Sequence, residues 1–153
     1  MSPSPAEVVI RDAVPADADA LAGLGVQLGY ECTAESMARR LQMLPASQSV
    51  VVAQTGARVV GWIQFGVGLA IESSPFVEIS GLVIDAGHRR RGIGQRLLDC
   101  ARDWALARDI DTLRVRSNDQ RTDTHAFYLK RGFTLLKAQK VFAASNLRQR
   151  GTS

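Results

Sequence analysis

The chain has 153 residues, a length that fits one folded domain. Hydrophobic residues make up 46% and charged residues 22%, which excludes a disordered chain. The apolar runs are too short for a membrane span, no secretory leader is recognisable, and two cysteines cannot form a disulfide framework. Without a leader, a membrane span or a disulfide framework, we expect a cytoplasmic protein with no membrane partner. The cysteines and histidines lack the spacing of zinc ligands, so we expect no metal.

Arginine far outnumbers lysine among the basic residues, and three of the arginines are consecutive. The net charge is +4, and all but three of the 19 basic residues are arginines. A guanidinium presents a planar fork of donors that suits phosphate or carboxylate. Arginine enrichment also follows from a GC-rich genome, so position matters more than number. The run Arg89-Arg90-Arg91 is the feature that asks for an explanation.

Apolar periodicity, caps and turn residues predict the elements in chain order. They are a strand at 8–11, helices at 17–28 and 34–44, strands at 49–55, 58–67 and 76–84, a helix at 94–108, a strand at 112–116, a helix at 123–130, and strands at 133–136 and 140–143. This order predicts an α/β (α+β) fold, with a mixed sheet flanked by helices and one parallel crossover through helix 94–108. Residues 8–147 are expected to form a single domain, with tails at 1–7 and 148–153.

One turn carries the chemistry of an anion site. Arg89-x-x-Gly92-x-Gly94 follows a predicted strand and opens a predicted helix. The first N–H groups of a helix lack intrahelical partners, and glycines let a phosphate approach them. Leu97 stands where a dinucleotide fingerprint needs glycine, and the Lys-Ser/Thr of a P-loop is absent. A plain helix start with solvated arginines would have the same residues.

The segment from Leu82 to Leu98 resembles the acetyl-CoA-binding motif of the GNAT superfamily of N-acetyltransferases. That motif is a strand, then Q/R-x-x-G-x-G/A, then an amphipathic helix. The later Asn118…Phe127-Tyr128-Leu129-Lys130-Arg131-Gly132-Phe133 is similar to the family's N…FYxxxGF segment. The resemblance covers about residues 8–145. It implies a GNAT-like, mostly antiparallel sheet of six to seven strands with about four helices.

The resemblance also implies roles for particular residues. Backbone groups of residues 82–84 would pair with the pantetheine arm of acetyl-CoA, which can extend a sheet, and could stabilise an oxyanion. The residues implied in cofactor binding are Leu82, Val83, Ile84, Arg89, Arg90, Arg91, Gly92, Ile93, Gly94, Gln95 and Asn118.

Two side chains are candidates for proton transfer. Glu78 is the leading candidate base, because family members carry a catalytic Glu at this place and a carboxylate inside an apolar strand is unusual. The solvent face of the strand is the alternative place for it. Glu72 and Asp85 are weaker candidates. By resemblance, Tyr128 would protonate the departing thiolate; a half-buried helix tyrosine is the alternative.

The acceptor side is less defined. In this family the first two helices and their loop wall the acceptor site, so Tyr30 and Glu31, and also Glu72, are candidates to receive a small amine or a peptide amine. The final strands could pair across a homodimer. Two alternatives to a direct N-acetyltransferase remain open: a non-catalytic acyl-CoA sensor, and a basic nucleic-acid-binding domain, which the absence of a nucleic-acid motif disfavours.

Overall fold

The computed structural model of the chain describes residues 7–117 and 122–149. It has a mixed α/β fold with one open sheet of five strands and with four helices. The chain divides into two compact units, of which the first ends at Arg116 and the second begins at Ser117. The elements are β1 (Val8–Asp12), α1 (Ala18–Gln27), α2 (Ala34–Gln42), β2 (Gln48–Thr55), β3 (Arg58–Gly68), β4 (Phe76–Ile84), α3 (Ile93–Leu106), β5 (Leu113–Val115) and α4 (Thr122–Lys130).

All five strands belong to the first unit, and their order in the sheet follows the chain. β1, β2, β3 and β4 are antiparallel neighbours, while β5 pairs with β4 in parallel. α3 makes the connection between the two parallel strands, as the sequence predicted. The sheet is therefore mostly antiparallel, with one parallel edge strand.

One face of the sheet packs against α1. Val52, Trp62 and Val83 lie opposite one another across β2, β3 and β4. With Leu21 and Leu24 of α1 they form one apolar cluster. Neighbouring residues of a strand point to opposite faces, so the residues between these positions face a second apolar core on the other side of the sheet.

The other face packs against α3. The ring of Phe65 meets Trp104 of α3 edge to face, with 5.2 Å between the ring centroids. Leu97 and Ala101 are four residues apart on α3 and are both fully buried. Each large apolar side chain buried in this way contributes roughly 1.5–3 kcal/mol. This packing fixes the helix that starts directly after the arginine-rich turn.

A β-bulge changes the direction of the β4 amides. Gln64 lies opposite Gly81 and Phe65 lies opposite Ile79, so Ser80 is the extra residue on β4. Before the bulge, the N–H of Val77 donates to Thr112 O beside β5, at 2.9 Å. After it, the N–H of Asp85 donates to Val60 O on β3, at 2.8 Å. Val77 and Asp85 are eight positions apart, and in a regular strand amides an even number of positions apart face the same edge. These two amides face opposite edges because the bulge shifts the register between them.

The local sequence signals for the helices are confirmed. Thr33 caps α2: its Oγ1 accepts the N–H of Ser36 at 3.1 Å, and Ser36 Oγ accepts the N–H of Thr33 at 3.2 Å. In the second unit, α4 ends before Gly132, which has a φ of 90°. α2 begins and α4 ends where cap and turn chemistry predicts.

The prediction of six to seven strands is wrong, because residues 7–117 and 122–149 form five. Residues 133–136 and 140–143 form no strand in the described part of the second unit. Leu135, Leu136, Val141 and Phe142 are 84%, 66%, 82% and 88% exposed. Apolar, β-branched composition favours a strand only when a neighbouring strand supplies hydrogen bonds and a face to pack on, and these residues have neither within their own unit. No helix among the described residues is long and apolar enough to cross a bilayer.

Candidate active site

The second half of β4 has a free edge. The pairing of β4 with β5 ends at Ile79 and Val115, while β4 continues to Ile84. Because the amide of Asp85 faces β3, the amides of Leu82 and Ile84 face away from β3, toward this edge. No other strand within residues 7–117 pairs with them. The backbone of Val83 is directed to Trp62 instead, so two of the three predicted backbone groups are available to an extended ligand.

The arginine-rich turn leads directly from this edge to the start of α3. Arg90 and Gly92 adopt positive φ angles, 64° and 79°, which turn the chain sharply. The N–H of Arg96, at the end of the first turn of α3, donates to Gly92 O at 3.1 Å. The N–H groups of residues 93–95 therefore point out of the helix start without an intrahelical acceptor.

The charge around this helix start is positive. The first turn of α3 contains no acidic residue, and the side chains of Arg89, Arg90 and Arg91 are all exposed. Arg89 Nε lies 3.4 Å from the carbonyl oxygen of Ile84. Amides without an intrahelical acceptor, the positive end of the helix dipole and nearby guanidinium groups together suit a phosphate or diphosphate.

A buried carboxylate fixes the beginning of the turn. Asp85 is 6% exposed, and its Oδ2 lies 2.7 Å from His88 Nδ1 and accepts the N–H of Gly87 at 3.3 Å. Its Oδ1 accepts Nε2 of Gln27 at 2.8 Å and lies 3.5 Å from Arg58 Nη2. The hydrogen bonds from Gln27 and His88 lower the pKa of Asp85 to about 2. An ionised Asp85 with four polar contacts is a structural anchor and a poor proton acceptor at neutral pH.

A cavity of about 490 Å³ opens on the α1 side of the sheet. It is lined by residues of α1, the α1–α2 loop, α2, β2, β3 and β4, all within the first unit. Ser80, Gly81, Leu82 and Val83 form its β4 wall, so the cavity borders the bulge. A Cβ at Gly81 would lie 2.8 Å from Cζ3 of Trp62, so the indole ring rests directly on the glycine. The volume is in the range of small-molecule sites.

The predicted acceptor residues divide into two groups. Tyr30 and Glu31, on the loop between α1 and α2, line the cavity. Glu72 is exposed on the loop between β3 and β4 and does not line it. Trp62, Gln64 and Arg40 line the cavity too but carried no sequence signal, because the strand and helix positions they occupy meet only after folding.

Glu78 lies on the cavity side of the sheet, next to the cavity wall. It is opposite Gly66, two positions along β3 from Gln64, which lines the cavity. Its side chain is 26% exposed, and its Oε1 lies 2.5 Å from Nε of Arg116, which itself is 72% exposed. The sequence analysis did not predict the contact with Arg116.

The second unit contains Tyr128. It lies in α4, is 7% exposed, and its ring contacts Phe127 and Phe133 edge to face at centroid distances of 5.3 Å each. The FYxxxGF segment thus forms a small aromatic cluster within this unit. Asn118, another candidate for cofactor binding, lies outside the described residues.

The two cysteines have structural surroundings. Cys32 Sγ donates to Ala22 O at 3.4 Å. Burial raises the pKa of the Cys100 thiol, as do the nearby carboxylates of Asp12 and Asp103. The environment of Cys100 therefore disfavours a thiolate nucleophile. Within the described residues, no three His, Cys, Asp or Glu side chains are grouped as metal ligands.

Comparison with known proteins defines the class of this fold and site. The Acetyltransferase (GNAT) family matches residues 23–133, well over half of the chain. The chain belongs to this family, which confirms the resemblance seen in its motifs. The uncharacterized N-acetyltransferase YhdJ of Bacillus subtilis (strain 168) is 38% identical over 68 residues, or 44% of this chain. That match spans about half of the relative, 48% of its length.

Solved structures have the same fold at low identity. Aminoglycoside N-acetyltransferase AAC(6')-Iy in complex with CoA has a TM-score of 0.82 and 14% identity, over 95% of this chain and 99% of that chain. A transcriptional regulator from Bacillus halodurans C-125 has a TM-score of 0.76 and 22% identity, over 90% and 100%. A ribosomal-protein-alanine N-acetyltransferase from Brucella melitensis biovar Abortus 2308 has a TM-score of 0.74 and 18% identity, over 90% and 99%. At these identities the likeness concerns the fold alone.

Proposed function

We propose that this chain is an N-acetyltransferase that moves an acetyl group from acetyl-CoA to a primary amine by direct transfer in a ternary complex. The observation that carries the proposal is the free edge of β4 at Leu82 and Ile84, followed directly by the uncapped start of α3. An extended arm with amide groups fits the first, and a diphosphate fits the second. Family membership supports the same reading.

Acetyl-CoA would supply the thioester that carries the acetyl group. The N–H groups of Leu82 and Ile84 would hold the pantetheine amides and the thioester carbonyl, since no strand within residues 7–117 pairs with them on this edge. The N–H groups of Gly92, Ile93, Gly94 and Gln95, with the guanidinium groups of residues 89–91, would hold the phosphates. Asn118 is proposed to bind the cofactor on the motif alone.

Glu78 is proposed to accept the proton of the incoming ammonium, directly or through a water molecule. Its carboxylate lies on the cavity side of β4, where Arg116 is its ion-pair partner. The amine nitrogen then forms the N–C bond as the C–S bond breaks. Tyr128 is proposed to give its hydroxyl proton to the departing thiolate and to recover a proton from the new amide nitrogen, directly or through water, while Glu78 returns its proton to solvent.

The proposed acceptor lies in the cavity beside residues 80–83, against Tyr30 and Glu31. Glu72 is proposed only to meet a larger acceptor, such as a peptide, outside the cavity. The family match runs through residue 133, past the boundary between the two units, which supports one acetyltransferase domain over residues 8–147. A homodimer stays a prediction, favoured by the exposed apolar side chains of residues 135–142.

The test is release of free thiol from acetyl-CoA, measured against a panel of small amines and peptides. We expect release that depends on both the enzyme and the amine. CoA binding without turnover on any amine would favour the sensor. Tight, salt-dependent DNA binding without CoA binding would favour the nucleic-acid alternative.

A further inference from the structure

The polarity and charge of the side chains that line the cavity indicate the kind of molecule that it would bind. Most of the lining side chains are apolar, including Leu21 and Met37. Among the described residues that line it, Glu31 is the only acid and Arg40 is the only base. Neither of them forms an ion pair within the described part of the chain. The cavity is thus an apolar space with one charge of each sign on its exposed rim.

The placement of Arg40 follows from the helix. Met37, Arg40 and Leu41 are spaced three and four residues apart on α2, so they share the face that lines the cavity. Arg39, its neighbour in sequence, is exposed and does not line the cavity. The chain therefore has two adjacent arginines of which one belongs to the cavity and one does not.

We propose that the acceptor is a primary amine with an apolar body and a carboxylate, and that Arg40 binds the carboxylate. The inference rests on the proposed acetyl transfer and names the substrate class for that site. An arginine beside an apolar wall favours a carboxylate, because the guanidinium fork donates two hydrogen bonds to it and water screens the pair less than in the open. Glu31 and Tyr30 supply the acidic and aromatic surface that the ammonium group requires on approach.

The same lining disfavours a polycation. An acceptor with several ammonium groups needs several carboxylates, and Glu31 is the only acid among the described residues that line the cavity, while Glu78 beside the wall is paired with Arg116. Arg40 would repel a second ammonium group. A zwitterion matches the two rim charges, one for one.

The experiment compares acceptors that differ only in the carboxylate. Two pairs have similar amines and apolar bodies: 6-aminohexanoate with hexylamine, and 4-(aminomethyl)benzoate with 4-methylbenzylamine. Neamine is the polycationic probe. Thiol release at saturating acetyl-CoA gives kcat/KM for each amine, with the wild type, Arg40→Gln and the matched control Arg39→Gln.

We expect kcat/KM to be about tenfold higher for at least one carboxylate-bearing amine than for its partner, mainly through KM. Arg40→Gln should abolish this preference, while Arg39→Gln keeps it, and the CoA affinity should be the same in all three proteins. Neamine should be the poorest acceptor.

Equal kcat/KM within both pairs, or a preference that survives Arg40→Gln, would overturn the inference and leave acetyl transfer standing. Neamine as the best acceptor would overturn it in the same way. No thiol release with any probe or with the general amine panel would contradict the proposed function, and this inference with it.

Discussion

Gln27, the last residue of α1, donates its Nε2 to Oδ1 of Asp85 at 2.8 Å, and its Oε1 accepts the N–H of Ala86 at 3.1 Å. One amide side chain thus joins the helix that walls the cavity to the turn that precedes α3. The carboxylate it bonds also meets His88 and Arg58. The acceptor side and the phosphate side of the candidate site therefore share one buried anchor.

This anchor gives the fold a defined sensitivity to acid. The pKa of Asp85 is lowered to about 2 by its hydrogen bonds from Gln27 and His88, and an unfolded Asp titrates near 3.9. The stabilisation is therefore complete above about pH 4 and is lost as the pH falls toward 2. It amounts to about 2–3 kcal/mol.

Asp85→Asn should remove this dependence. We expect the variant to be less stable than the wild type at pH 6, with a difference that shrinks between pH 4 and pH 2. Urea unfolding at a series of pH values measures it, and Asp103→Asn, an exposed acid on α3, is the control. A constant difference across that pH range would contradict the assignment.

Glu78→Gln should slow turnover without weakening the binding of CoA. The amide keeps the size of the side chain and cannot accept the proton, so we expect kcat to fall about 10²–10³-fold. Calorimetry should give an unchanged CoA affinity. Glu35→Gln, an exposed acid on α2 away from the cavity, should behave as the wild type. Full activity of Glu78→Gln would exclude Glu78 as the base.

Tyr128→Phe tests the proposed acid. The ring contacts with Phe127 and Phe133 do not need the hydroxyl group, so the variant should fold. We expect kcat to fall about 10²-fold, with little change in CoA affinity. Phe127→Leu removes a neighbouring ring and no hydroxyl group, so it controls for packing. An equal loss in both variants would assign Tyr128 to packing rather than to chemistry.

Two glycines of α1 should respond oppositely to alanine. A Cβ at Gly23 would meet nothing within 4 Å, so Gly23→Ala should stabilise the protein by about 0.5–1 kcal/mol. A Cβ at Gly25 would lie 2.8 Å from Cys32 Sγ, which is held by its hydrogen bond to Ala22 O. Gly25→Ala should therefore cost about 1–3 kcal/mol. Thermal unfolding measures both, and a shift in the same direction would be inconsistent with this packing.

The sequence predicts best the features that are local. Helix periodicity, the cap at Thr33 and the glycine after α4 each depend on residues a few positions apart, and each is found in the structure. The prediction of strands at 133–136 and 140–143 is wrong, because strand formation depends on a partner strand that amino-acid composition does not reveal.

The site follows the same division. The arginine-rich turn is contiguous in sequence and could be identified from it. The contacts of Glu78 with Arg116, of Gln27 with Asp85, and of Trp62 with Gly81 join residues 19 to 58 positions apart, so only the fold brings them together. The bulge at Ser80, which decides which amides face the free edge, depends on the pairing register and has no signal in the sequence.

A calorimetric titration of the wild-type chain with CoA tests the central claim most directly, because it asks whether the free edge of β4 and the start of α3 hold this ligand at all. We expect one molecule of CoA per chain, with a micromolar Kd. Absence of binding at high micromolar CoA, to a protein sample shown to be folded, would contradict the account.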